Sequence, residues 1–238
     1  MTIRTAAIMQ PTYLPWIGYF DLIDRCDCFV FLDSVQFNRR SWQQRNRVKG
    51  PDGIHWLTVP VLSKGKQEQL ISEVEIDPTT GFQEKHIRTV SHMYAKAKFF
   101  SDYFDEMARI LRKPRHFLAD LNIELIEWLC DKFGVRRQFV LSSALDIEGK
   151  KVDLLIDICK SIGAERYLSA EGSRPYIEEN DLFSENRIEL KYHDYHHPEY
   201  KQLHGDFVPY LSALDLLFNE GPSSLAIIRS GRGGEIKS

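Results

Sequence analysis

Residues 36–49 read QFNRRSWQQRNRVK and contain no Asp or Glu. Arg39, Arg40, Arg45 and Arg47 stand there, with Trp42 and Asn46 between them. A guanidinium fork meets phosphate or carboxylate with two hydrogen bonds, and an indole can stack on a base or a sugar. A solvated face would normally interleave acids, so the run reads as a site for something anionic. An exposed basic edge that protects a strand is the plainer alternative. A second reactive group closes the chain: His193-Asp194-Tyr195-His196-His197-Pro198, then Tyr200 and Gln202. On a strand, His193 and His197 share one face while Asp194 and His196 share the other, so no metal site is expected. His197 reads instead as a general base or orienting group, because imidazole titrates near neutral pH. Tyr200 and Gln202 would be its partners. A histidine packed structurally by Pro198 explains the pattern as well.

These groups need elements to hold them. Ile3 to Met9 is an apolar run with the look of a buried strand; a turn with Pro11 and Pro15 follows, then a helix-like stretch from Trp16 to Cys26 and a second apolar run from Cys28 to Leu32. That order is a βαβ unit. Functional groups gather past the carboxyl ends of such strands, which here carry Gln10, Tyr13, Asp33 and Gln36. Gln10 and Asp33 join His197 as catalytic candidates. Ser169-Ala170-Glu171-Gly172 follows another predicted strand and precedes Tyr176; Ser169, Gly172 and Tyr176 would wall the same pocket, or form a turn. No GxSxG, HExxH, P-loop or GxGxxG occurs, which argues against serine hydrolase, zinc protease, ATPase and NAD enzymes.

The remaining chain reads as one α/β domain over residues 1–221. It has a mostly parallel sheet, flanking helices and a helical insertion at about 82–134. Strands are predicted at 54–61, 70–76, 138–141, 166–169 and 188–192, and a C-terminal tail at 222–238 that is glycine-rich and charged from Arg229 to Ser238. The chain is 43% hydrophobic, enough for a packed core, and its net charge of -3 gives no general pull toward nucleic acid or anionic lipid. Cys26, Cys28, Cys130 and Cys159 show no CxxC spacing and read as small apolar residues. Neither a signal peptide nor a spanning helix is visible, so a cytoplasmic protein without membrane insertion is expected.

The stretches QPTYLPWIGYFDLI, FLDSVQFNRRSWQQRNR, WLTVPV, YLSAEG and HHPEYKQLHGDFVPYLSALDLLFNEG resemble the WbqC-like proteins. The resemblance runs over about residues 3 to 221. It implies surface polysaccharide assembly, including O-antigens, with an anionic small-molecule substrate such as a nucleotide-linked amino sugar. More remotely, Trp16-Ile17-Gly18-Tyr19 falls where nucleotidylyltransferases of the HIGH superfamily carry two histidines, here replaced by Trp16 and Tyr19. That likeness implies phosphate binding at the start of the first helix, with Gly18 permitting close approach and ATP with Mg as cofactors. The plainer reading has Pro15 opening the helix and Trp16 packing on it. Three function classes follow: ATP-dependent amide formation, as in the pantothenate synthetases of that superfamily; acyl or aminoacyl transfer from a preactivated donor; or a non-catalytic module that binds an anionic ligand.

Overall fold

Alternation within two short runs sets the architecture. In the first, Ala7 faces one core while Ala6 and Ile8 face another; in the second, Phe29 and Phe31 face the first core, Cys28 and Val30 the second. A strand apolar on both faces must be covered on both, as parallel sheets are. The computed structural model describes residues 3–66, 68–177 and 181–233. Its strands are β1 (Thr5–Met9), β2 (Cys28–Phe31), β3 (Arg45–Gly50), β4 (Gly53–Thr58), β5 (Gln138–Leu141), β6 (Arg166–Ala170) and β7 (Glu189–His193). Its helices are α1 (Ile17–Asp24), α2 (Phe82–Tyr94), α3 (Phe100–Arg112), α4 (Leu118–Phe133), α5 (Lys151–Ser161), α6 (Arg174–Ile177), α7 (Leu182–Glu185), α8 (Ala213–Glu220) and α9 (Ser224–Ser230).

Five strands form one sheet in the order β5-β2-β1-β6-β7, every neighbouring pair parallel. Helices α1 to α4 and α8 contribute to the core on one face, α5 and α7 to the core on the other. From β1 the chain builds outward through β2 and β5, then returns to β1's other side for β6 and β7. The winding therefore reverses between β1 and β6, and ligands of such sheets sit outside the strand ends at that reversal.

Three expectations change. Arg45–Gly50, read only as a basic run, is a strand paired antiparallel with β4. Its Asn46 and Val48 are buried while Arg45 and Arg47 face outward, so polarity hid a two-residue period. Residues 70–76 are no continuous strand: Ile71–Glu73 is a 3₁₀ turn between single bridges of Leu70 to Gln36 and Ile76 to Val61. The stretch from 222 onward is helical over Ser224–Ser230, with 234–238 outside the described residues. Arg229 and Arg232 pair with the buried Asp24, and Arg232 Nε donates to buried Asp21 at 2.6 Å. Two carboxylates buried on α1 require such partners, and this closing stretch supplies them. No helix of the described residues is long and apolar enough to cross a membrane.

Candidate functional site

The carboxyl ends of β1 and β6 open onto a cleft of two lobes. One lobe, of about 350 Å³, lies at the reversal point between Met9, Gln10, Gln43, Ala170 and Gly172. The other, of about 460 Å³, lies between Trp16, Tyr19, Arg47 and Tyr210. Met9, Thr12 and Trp42 border both, so the lobes are neighbours along one opening. Mostly apolar walls with a few convergent polar groups are the usual make-up of a small-molecule site.

Buried amides hold the arginine-rich loop over the end of β1. Gln43 Nε2 donates to Gln10 Oε1 at 2.7 Å, and Gln43 Oε1 accepts from the Asn38 amide at 2.9 Å. Asn122, buried on α4, donates to the carbonyls of Pro11 and Gln43 at 3.1 and 2.7 Å. The helices at 82–134 thus brace the site through at least one side chain. Asn46 Nδ2 donates to the Leu14 carbonyl at 2.7 Å, holding a turn in which Leu14 has a φ of 45°. Gln43 and Asn122 were not singled out in the sequence: an amide acts through reach and burial, which spacing does not reveal.

The four arginines separate. Arg47 borders the second lobe, and its Nη2 donates to the Tyr210 carbonyl at 3.1 Å. Its Nε is buried without a partner. Arg45 Cζ lies 4.4 Å from the centre of the Trp56 ring. Arg39 and Arg40 are exposed and border neither lobe. None of the four meets a carboxylate within ion-pair distance among the described residues.

Several candidates lie elsewhere. Tyr13 is fully buried, its hydroxyl 2.8 Å from His86 Nδ1, and burial raises its pKa. Asp33 is buried and accepts from Ser142 Oγ, the Ser143 amide and Ser143 Oγ at 3.0, 2.9 and 2.6 Å. It therefore joins β2 to the turn after β5 and borders neither lobe. Gln36 is exposed beside Leu70. Ser169 is buried against Ser173 rather than in the lobe beside it. The Tyr176 side chain lies outside what is described. Gly18 has no open space above it: a Cβ there would meet the Trp16 ring at 2.1 Å. The indole packs on Gly18 in the first turn of α1, because a residue without a side chain gives a flat ring its closest seat. Tyr19, by contrast, lines the second lobe; it is buried, with its hydroxyl donating to the Gln10 carbonyl at 3.1 Å.

His197 does not border either lobe. Its ring contacts Trp16 at 5.9 Å and Tyr210 at 5.1 Å between centroids, and both of those rings line the second lobe. Nδ1 donates to the Pro198 carbonyl at 2.9 Å, which leaves the lone pair on Nε2 of the neutral ring. That Nε2 is buried and has no partner. Burial lowers the His197 pKa, the bond to Pro198 opposing it. His193 is committed to Asp21 at 2.9 Å, and His196 is exposed.

A buried polar cluster lies behind this wall. Lys49 donates to Gln202 Oε1, the Gly205 carbonyl and the Asp206 carbonyl at 3.3, 3.2 and 2.5 Å. Tyr94 donates to Asp215 Oδ2 at 2.9 Å. Burial raises the Asp215 pKa to about 6, against Tyr94, Tyr200, Lys49 and Gln202, which favour its charged form. Tyr200 and Gln202 belong to this cluster; Gln202 holds the segment leading to Tyr210 through Val208, and the Tyr200 ring stacks on His197 at 6.2 Å between centroids.

Fold and cleft together define a doubly wound α/β protein with an aromatic and arginine-lined opening at its reversal point. The chain belongs to the WbqC-like protein family, whose pattern it matches over residues 10–227. It is 36% identical over 228 residues to the uncharacterized protein Rv1507c of Mycobacterium tuberculosis, covering 95% of this chain and 98% of that one. No solved structure matches it.

Proposed function

We propose that this chain is a cytoplasmic enzyme of surface polysaccharide assembly that transfers an acyl or aminoacyl group to the amine of a nucleotide-linked amino sugar. The observation that carries this reading is the pairing of two unlike lobes at the reversal point. One is edged by neutral amides, Gln10 and Gln43; the other by Arg47 and the aromatic side chains of Trp16, Tyr19, Trp42 and Tyr210. Amides suit sugar hydroxyls, and an unpaired guanidinium suits phosphate. An amine attacking an acyl carbon must lose a proton; His197 Nε2, unpartnered behind Trp16 and Tyr210, would accept it once one of those rings turns aside, and would return it to the leaving group. The imidazole is one side chain removed from the cleft, held by Trp16 and Tyr210.

The donor is preactivated in this reading. The ATP-dependent version would seat phosphates of an ATP–Mg complex at the start of α1, where the Trp16 indole packs on Gly18. The test is to incubate the protein with amino-sugar nucleotides and acyl or aminoacyl thioesters and to follow N-acylated product by mass spectrometry. Product formed at the same rate with and without ATP supports the proposal. A strict need for ATP, with AMP released, returns the adenylating version. Tight binding without product from any donor makes this a binding module.

A further inference from the structure

The outer face of the β3–β4 hairpin carries a feature that the cleft alone does not explain. Trp42 and Trp56 are 48% and 47% exposed, with ring centroids 5.5 Å apart. Side chains alternate along the hairpin, so Arg45 and Arg47 emerge on the same face as Trp56, which pairs directly with Arg47. Arg45 Cζ stands 4.4 Å from the Trp56 ring centre, and Arg47 Cζ 5.6 Å from Trp42 and 5.9 Å from Trp56. The result is a cluster of planar groups, two adjacent tilted indoles with Arg45 over one and Arg47 beside both, half open to solvent. Folding does not require it, since the inward face already packs through Val48 and Leu57.

We propose that this array is the subsite for the base and diphosphate of a nucleoside diphosphate, with the attached sugar reaching into the lobe at Gln10. The inference rests on the nucleotide-linked substrate of the preceding section and gives that nucleotide a place. A base has a flat π-face, and stacking on aromatic side chains is how proteins hold bases without reading their edges. The two arginines project from alternate positions of one strand, about 6.6–6.8 Å apart, so both forks can converge on adjacent phosphoryl groups. They have no acid to neutralise them among the described residues. Trp42 joins the array to the cleft, because it borders both lobes. The array is also short. Beyond Ile54 the hairpin tip carries Asp52, 2.7 Å from His55, and its exposed carboxylate would repel a phosphate chain continuing that way. One base with its diphosphate is accommodated, a polynucleotide is not.

The experiment is titration of the full chain with uridine diphosphate, adenosine diphosphate, pyrophosphate and a short oligouridylate, by calorimetry and tryptophan fluorescence. Wild type, Trp56→Ala and Arg45→Gln are compared, with folding verified by thermal melting. Wild type should bind the nucleoside diphosphates with quenching. Trp56→Ala should weaken them about tenfold or more, from the usual worth of one stacked base, and leave pyrophosphate unchanged. Arg45→Gln should weaken nucleotides and pyrophosphate alike. Nucleoside diphosphates bound equally by wild type and Trp56→Ala overturn the subsite while the nucleotide-linked substrate stands. Oligouridylate bound more tightly than the diphosphates overturns the ligand class. No nucleotide binding by wild type overturns both proposals, whereas binding without acyl transfer supports the subsite and overturns only the transferase.

Discussion

Gln43 Nε2 donates to Gln10 Oε1 across 33 residues of sequence, and this 2.7 Å bond ties the arginine-rich loop to the end of β1. Gln43 is buried and also accepts from the Asn38 amide, whereas Gln10 is half-exposed at the cleft. Gln43→Ala should therefore cost about 1–3 kcal/mol by leaving buried groups unpaired, and Gln10→Ala distinctly less. Urea denaturation checks the order; a larger loss for Gln10→Ala would mean that the loop is held by other contacts.

Gly18→Ala should destabilise by about 1–3 kcal/mol through overpacking, since the new methyl meets the Trp16 ring. In a Trp16→Ala background the same change should be neutral, or stabilising by up to about 1 kcal/mol, from helix propensity alone. Melting curves of the four proteins decide. A harmless Gly18→Ala in the wild type would show that the indole does not depend on that seat.

Among the arginines, Arg47→Ala should weaken nucleoside diphosphate binding by about 1.5–3 kcal/mol, the range of a charge-assisted contact. Arg39→Ala and Arg40→Ala should change it little, because neither borders the cleft. Calorimetric dissociation constants separate the two groups. Equal losses would assign the basic run a diffuse electrostatic role.

His197→Gln keeps the size of the side chain but cannot titrate near neutral pH. Turnover should fall by about 10²–10⁴-fold with little change in KM or melting temperature. A wild-type rate would make His197 purely a support for Trp16 and Tyr210.

The buried Asp215 gives a pH signature. Its pKa is about 6 folded and about 3.9 unfolded. Between those values the folded chain holds a proton that the unfolded chain has lost, so this group's contribution to stability falls as pH rises from about 4 to about 6. The size is about 2–3 kcal/mol. His86, lowered by burial to about 4, acts the opposite way: the unfolded chain holds the extra proton, and stability rises with pH up to about 6.5. The two largely cancel in the wild type. Asp215→Asn removes one of them, so relative to the wild type it should gain about 2–3 kcal/mol between pH 4 and pH 6. Denaturant titrations at several pH values test this; parallel curves for both proteins would show that Asp215 stays ionised throughout.

The parallel sheet was legible because its central strands are apolar on both faces. That pattern admits few arrangements, and Met9 and Leu32 end their runs at the same edge of the sheet. Gln10, Trp42 and Arg47, candidates in the sequence because a basic aromatic run without acids beside a strand end has few structural uses, border the cleft. Of the hairpin, the second strand was legible at 54–61 but the first was not, since the two-residue period of β3 is written in arginines and an asparagine.

Type and neighbourhood in the chain determined which groups could do chemistry, but direction belonged to the tertiary structure. Tyr13 and Asp33 follow the same strand ends as Gln10, yet one turns into the helices toward His86 and the other into the turn at Ser142 and Ser143. A strand end leaves a side chain free to follow either face, and the face is chosen by distant partners that satisfy its polar atoms. The same applies to Asp21 and Asp24, whose partners Arg229 and Arg232 lie more than 200 residues away. Spacing in sequence carries the local period of the backbone; burial of a charge or an amide is settled only when the chain closes on itself, because its cost falls due where no water can reach.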